Sequence, residues 1–197
     1  GLDPFQFSRR QSKTVLNIGG ENVPRVFADL STQESISPAN LFAFGYNYSV
    51  ALDKWNMTDL ACDYLFVGDT TIDFQIPGTL GIVQKSTSWD HQKERHYPLF
   101  SKQEFLQSTN KSRVLNFVSV SISDLDSAFL ARINDDKTIV LVLESANSHR
   151  MPEMRRVFLA LDSTGVNCPV IVRQSYALTE TDFQLFAATD VGGLLID

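Results

Sequence analysis

A chain of 197 residues that is 43% hydrophobic and 20% charged can bury one good core, and its composition excludes a disordered, collagen-like or disulfide-stapled protein. The formal charge of −6, with 17 basic residues scattered rather than gathered into a stripe, argues against nucleic acid as a partner. No run reaches the ~18 to 20 apolar residues that cross a bilayer, and the first residues lack the basic and then apolar pattern of a signal peptide, so the expected location is cytoplasmic with no membrane partner.

In chain order, residues 13–18 and 25–28 read as strands joined through Gly19-Gly20 and Pro24, and Ser37 with Pro38 starts a helix carrying Leu41, Phe42 and Phe44. Residues 62–67 are a further strand. Residues 73–85 hold two extended runs around Pro77-Gly78, which predicts a hairpin. Polar residues 86–96 form a loop, after which Ser101 and Glu104 cap a helix that carries Phe105 and Leu106.

The C-terminal half is more regular. Residues 114–120, 138–143, 169–172 and 193–196 are short, β-branched and apolar on both faces, the pattern of strands covered on both sides in a parallel sheet. Helices with start signals lie between them. Ser123 and Asp126 are spaced as a capping box ahead of Phe129 and Ile133, and Thr179 and Asp182 repeat the device ahead of Phe183, Phe186 and Ala187. The middle helix has Pro152 in its first turn and an apolar stripe of Met154, Val157, Phe158 and Leu161, with Gly165 to end it. Strand starts 24 to 31 residues apart suit right-handed crossovers. The fold expected is a single α/β domain over residues 1–197, a mostly parallel sheet of about seven strands in a shortened or irregular TIM-barrel-like form. An eight-unit barrel normally takes ~250 residues. Ending on an expected strand, the chain reads as a piece of a longer protein.

Signatures of chemistry are sparse. Asn17-Ile-Gly-Gly20 and Gly78-Thr-Leu-Gly81 match neither a dinucleotide fingerprint nor a phosphate loop, and no serine elbow or His-Glu-x-x-His pair occurs. Cys62 and Cys168 stand 106 positions apart without metal-ligand spacing, so they read as two buried free thiols. His91 and His96 belong to the polar loop and His149 to a surface loop. Parallel sheets bind ligands beyond the carboxyl ends of their strands, and the residues there are Ser121, Glu144, Ser145, Arg173, Gln174 and Asp197. If this ring is a site of its own, Glu144 would act as general base and Arg173 as an anchor for an anionic substrate in a stand-alone enzyme. The other alternative is a protein-interaction module presenting an apolar patch.

Several segments, taken together, resemble one family. They are Phe5-Gln-Phe7-Ser-Arg9-Arg10, Ile18-Gly-Gly20, Val23-Pro24, Asp29-Leu-Ser31, Cys168-Pro-Val-Ile171, and the run from Ala187 through Asp190 and Gly192-Gly193 to Asp197. In order and spacing they resemble the central insert of the three-domain form of 4-hydroxy-3-methylbut-2-en-1-yl diphosphate synthase, an iron–sulfur oxidoreductase of the non-mevalonate isoprenoid pathway. The resemblance implies a spacer between an N-terminal barrel that binds 2-C-methyl-D-erythritol 2,4-cyclodiphosphate and a C-terminal domain holding a [4Fe-4S] cluster through three cysteines and a glutamate. Reductive ring opening and dehydroxylation would belong to those two domains, with ferredoxin or flavodoxin as electron donor. No catalytic, cofactor-binding or metal-binding residue is carried over to this chain, which is expected to be inactive alone. Faces near the chain ends, including Phe5, Phe7, Arg9 and Arg10, are expected to dock on the flanking domains.

Overall fold

The computed structural model describes residues 9–194. Its strands are β1 (Phe27–Asp29), β2 (Tyr46–Ser49), β3 (Lys54–Met57), β4 (Tyr64–Gly68), β5 (Gly81–Lys85), β6 (His96–Ser101), β7 (Asn116–Val120), β8 (Ile139–Leu143) and β9 (Val170–Val172). The α-helices are α1 (Lys102–Gln107), α2 (Ser127–Asp135), α3 (Arg150–Ser163) and α4 (Glu180–Gly192). Among the described residues, seven strands form one sheet in the order β1-β4-β5-β6-β7-β8-β9, and every neighbouring pair is parallel. Strands β2 and β3 make a separate antiparallel hairpin.

The sheet curls into an incomplete barrel. On β4, Tyr64 and Phe66 face one apolar cluster while Leu65 and Val67 face another, the alternation of a strand buried on both sides. The inner cluster takes Phe27 of β1, Val83, Tyr97, Leu99, Phe117, Val140, Val142 and Ile171 of β9, so it is fed by every strand of the sheet. Phe27 and Phe117 belong to strands four places apart, roughly 19 Å in a flat sheet. Their rings nevertheless meet edge-on at 5.5 Å. Only a rolled sheet allows that contact. The result is an α/β domain of shortened, TIM-barrel-like form.

Two different covers protect the outer face. Over β6 to β9 the helices pack regularly, with Phe105, Phe129, Ile133, Met154, Val157 and Leu161 buried against the sheet. Over β1, β4 and β5 the cover is a 3-10 helix (Pro38–Phe44), the β2–β3 hairpin and the loop 69–80, which contribute Leu41, Tyr46, Ile72, Ile76 and Leu80. The N-terminal segment plugs the amino end of the barrel. Val15 and Ile18 enter the inner cluster, and Lys13 N–H donates to Asn167 O at 2.7 Å, just ahead of β9.

Several local expectations are corrected. Residues 13–18 are no strand but a tight turn closed by a Val15–Ile18 bridge, with Leu16 at φ 54°. Their apolar residues serve as the plug. The hairpin around Pro77-Gly78 is absent: β5 pairs in parallel with β4 and β6, and the apolar residues before it cover the sheet instead of joining it. The polar loop ends one residue early, because His96 opens a buried strand whose third residue is Pro98. Proline rarely sits in a central strand, and that hid β6 from the pattern. The capping box at Ser123 is displaced, since Asp126 caps α2 by accepting from Phe129 N–H at 2.9 Å while Ser121 and Asp124 bond reciprocally across a preceding 3-10 turn. The stripe of α4 does not bury: Phe183 is 47% and Phe186 48% exposed. Of the strand expected at 193–196, Gly193 and Leu194 form a turn after α4, and the remaining residues lie outside those described.

Candidate functional site at the carboxyl ends of the strands

Three strands, β1, β8 and β9, deliver charged groups to the mouth of the barrel. Arg173 follows β9, Glu144 follows β8, and Asp29 closes β1. The Arg173 guanidinium donates from Nη1 to Glu144 Oε1 at 2.9 Å and from Nη2 to Asp29 Oδ2 at 2.9 Å, with Nε 3.2 Å from the same Asp29 oxygen. Its Cζ lies over the Phe66 ring, 4.4 Å from the ring centre. A guanidinium shared between two carboxylates and stacked on an aromatic face has its directional donors committed. Arg173 therefore has little left with which to anchor an anionic substrate.

Both carboxylates are engaged, Asp29 by Ser31 and Arg173, and Glu144 through Oε1 by Arg173. Burial would raise the Asp29 carboxyl, but hydrogen bonds from Ser31 and the charge and hydrogen bond of Arg173 outweigh it and hold the group below the usual carboxylate range. Glu144 spends one carboxylate oxygen, Oε1, on Arg173, which competes with a role as general base toward substrate.

The remaining ring residues do structural work. Ser121 N–H and Oγ–H both reach Asp124 Oδ2 at 2.8 Å. Ser145 Oγ–H donates to Glu153 and accepts from Asn147 N–H at 3.1 Å, tying the β8–α3 loop to the first turn of α3. Gln174 Nε2 lies 3.2 Å from the Met154 sulfur. Asp197 is outside the described residues. Thus the structure brings Glu144 and Arg173 together, as their strand positions require, and adds two partners the sequence reading missed. Asp29 was legible in principle as the carboxyl end of a strand. Phe66 gave no such signal, because it reaches the guanidinium only through the curl.

The histidines are dispersed. His91 is exposed and sits edge-on to Trp89 at 6.2 Å, and His149 is exposed at the start of α3. His96, expected in a solvated loop, is buried at the start of β6, where Nδ1–H donates to Glu94 O at 2.9 Å and Nε2 has no partner among the described residues. Protonation would leave an unpartnered N–H in the core, and burial pushes the imidazole below its free value of 6.5.

A [4Fe-4S] cluster needs several converging thiolates. Cys62 and Cys168 are free, buried and embedded in different outer clusters. Burial pushes the Cys62 thiol up to about 11 and raises Cys168 as well, so both are protonated thiols. These residues do not fit such a cluster. Among the described residues no group of three or more His, Cys, Asp or Glu is placed to hold a metal ion, and no helix is long and apolar enough to cross a membrane.

Fold and site together define an α/β barrel-type domain whose strand-end polar groups are tied to one another. The chain is similar, at low identity, to part of several flavodoxin-type 4-hydroxy-3-methylbut-2-en-1-yl diphosphate synthases. It is 26% identical over 198 residues to the enzyme of Parabacteroides distasonis, covering 100% of this chain and 29% of that protein. With the Phocaeicola vulgatus enzyme the identity is 23% over 195 residues, 96% of this chain and 28% of the relative. With the Porphyromonas gingivalis enzyme it is 33% over 82 residues, 41% and 14% respectively. The chain thus spans less than a third of the length of these relatives. No family model and no solved structure matches it.

Proposed function

We propose that this chain is the insert domain of a three-domain 4-hydroxy-3-methylbut-2-en-1-yl diphosphate synthase and acts as a rigid spacer between a substrate-binding barrel and an iron–sulfur domain. One observation carries the reading: similarity runs along 96 to 100% of this chain yet covers only 28 to 29% of the relatives. The Arg173 network supports it, because the charged groups that a barrel enzyme would turn toward substrate are paired with one another. On this reading the [4Fe-4S] cluster belongs to another domain, reached by electrons from flavodoxin or ferredoxin. The substrate, 2-C-methyl-D-erythritol 2,4-cyclodiphosphate, is opened and dehydroxylated there.

A spacer has a physical task. Reaction rates fall steeply when reacting groups are misplaced by about 1 Å, and a packed domain holds a separation that a flexible linker smears. Arg9 is exposed and available for docking on a neighbouring domain. Arg10 is not, since its guanidinium turns inward to Val166 O at 2.8 Å and Cys168 O at 2.9 Å. Phe5 and Phe7 lie outside the described residues.

Titration calorimetry of this chain with the cyclic diphosphate is expected to give no binding heat. In the full-length enzyme, replacing the domain by a Gly/Ser linker is expected to abolish turnover while the cluster's visible absorbance persists. Tight binding in the first experiment, or retained turnover in the second, would overturn the proposal.

A further inference from the structure

Helix α4 is apolar yet uncovered. Phe183, Leu185, Phe186, Ala187, Ala188 and Val191 are spread around more than one side of it, a pattern that belongs to helices enclosed by protein. None of its 13 residues is buried. The helix rests on α3, with Ala187, Asp190, Val191 and Gly192 half-covered. Tyr176 clips one side, packing edge-on to Phe183 at 5.7 Å and donating from its hydroxyl to Asp190 Oδ2 at 2.7 Å. Leu185 is 65% exposed, and Leu178, Phe183 and Phe186 are exposed near it.

The charges around this helix are divided between its ends. It carries three acidic residues, Glu180, Asp182 and Asp190, and no basic one. Glu180 and Asp182 are exposed at the amino end, whereas Arg155 of α3 reaches the carboxyl end, with Nη2 3.5 Å from Gly193 O. Between the two ends, Asp182, Leu185, Phe186 and Thr189 recur at three-to-four spacing and are all exposed, which makes one outward stripe. An antiparallel copy of that stripe, centred between Leu185 and Phe186, sets Leu185 against the partner's Phe186 and Asp182 against the partner's Thr189. Glu180 then falls beside the partner's Val191, two residues from the end where the partner's Arg155 lies. The surface is complementary to itself under a two-fold axis in both its apolar centre and its charged ends. A parallel copy would instead put the acidic ends together.

We propose that α4 is the contact between two copies of this chain, packed antiparallel with Leu185 and Phe186 at the axis and with Glu180 and Asp182 of each copy facing the partner's Arg155. The proposal does not depend on the functional reading above.

Light scattering of the 197-residue chain between ~1 μM and ~1 mM tests this. The mass is expected to rise to twice that of one chain. Leu185→Glu places a charge at the apolar centre and should weaken the association on the order of 100-fold, with an unchanged circular dichroism spectrum because the side chain it replaces is exposed. A cross-link checks the arrangement independently of that variant. In Leu185→Cys, a thiol beside the axis should form a disulfide with its own counterpart under mild oxidation, whereas Thr181→Cys, a turn away from the axis, should not. A single-chain mass throughout the range would overturn the proposal. So would a dimer that Leu185→Glu leaves intact, or cross-linking at position 181 in place of 185.

Discussion

Replacing Arg173 by Met keeps the apolar stem against Phe66 and removes the charge that joins Glu144 to Asp29. The side chains are partly exposed, 32% for Arg173, 41% for Asp29 and 42% for Glu144, so each ion pair is worth about 0.2 to 1 kcal/mol rather than the value of a buried pair. Loss of the guanidinium–ring contact adds about 0.5 to 1 kcal/mol. The total expected is about 2 kcal/mol, a drop in Tm of roughly 4–8 °C for a domain of this size. Urea unfolding should show a lower midpoint with an unchanged slope. In 1 M salt, where the screening length is about 3 Å, the ionic part of the difference should shrink. The Asp29 carboxyl is held below 3.8 in the fold, so it stabilises the protein above that pH, and the contribution is lost as pH falls through its lower folded value. That acid-side loss should be smaller in the variant. A change under about 0.5 kcal/mol at neutral pH and low salt would refute the network as a clamp between β1, β8 and β9.

Phe117→Ala empties a fully buried position where rings from β1 and β4 converge, and it should cost about 3–5 kcal/mol in urea unfolding, more than the Arg173 change. His96 is held neutral by burial, so the unfolded chain takes up its proton more readily; stability should be full above pH 6.5 and decline as pH falls toward the lower folded value, and His96→Gln should flatten that slope in pH-dependent melts. Neither Cys62 nor Cys168 should react with a thiol reagent at neutral pH in the native state, and two thiols should titrate in denaturant. Ser101 and Glu104 cap α1 reciprocally, so Ser101→Ala should cost about 1 kcal/mol in urea unfolding.

What could be read directly was whatever local chemistry decides. The strands at 116–120, 139–143 and 170–172 announce themselves by β-branched runs apolar on both faces, and α3 by Pro152, its stripe and Gly165, which takes φ 69°. Reading failed where apolar residues serve something other than the element they resemble. Val15 and Ile18 look like strand residues because they are buried, yet they plug the barrel from a turn. Ile72 and Ile76 alternate as a strand would, yet they cover the sheet from a loop. The hairpin of β2 and β3 escaped notice because much of it is exposed and carries no clean alternation.

The candidate site divides in the same way. That Glu144 and Arg173 stand at neighbouring strand ends follows from the spacing of two βα units, a property of the chain alone. That Arg173 also holds Asp29, 144 positions earlier, and rests on Phe66 was decided by the roll of the sheet. Sequence periodicity fixes which face of each strand is apolar, whereas the sum of small twists between seven strands determines which edges meet. No local pattern encodes that sum. It brings the end of the first strand to the end of the last, where Arg173 and Asp29 form an ion pair.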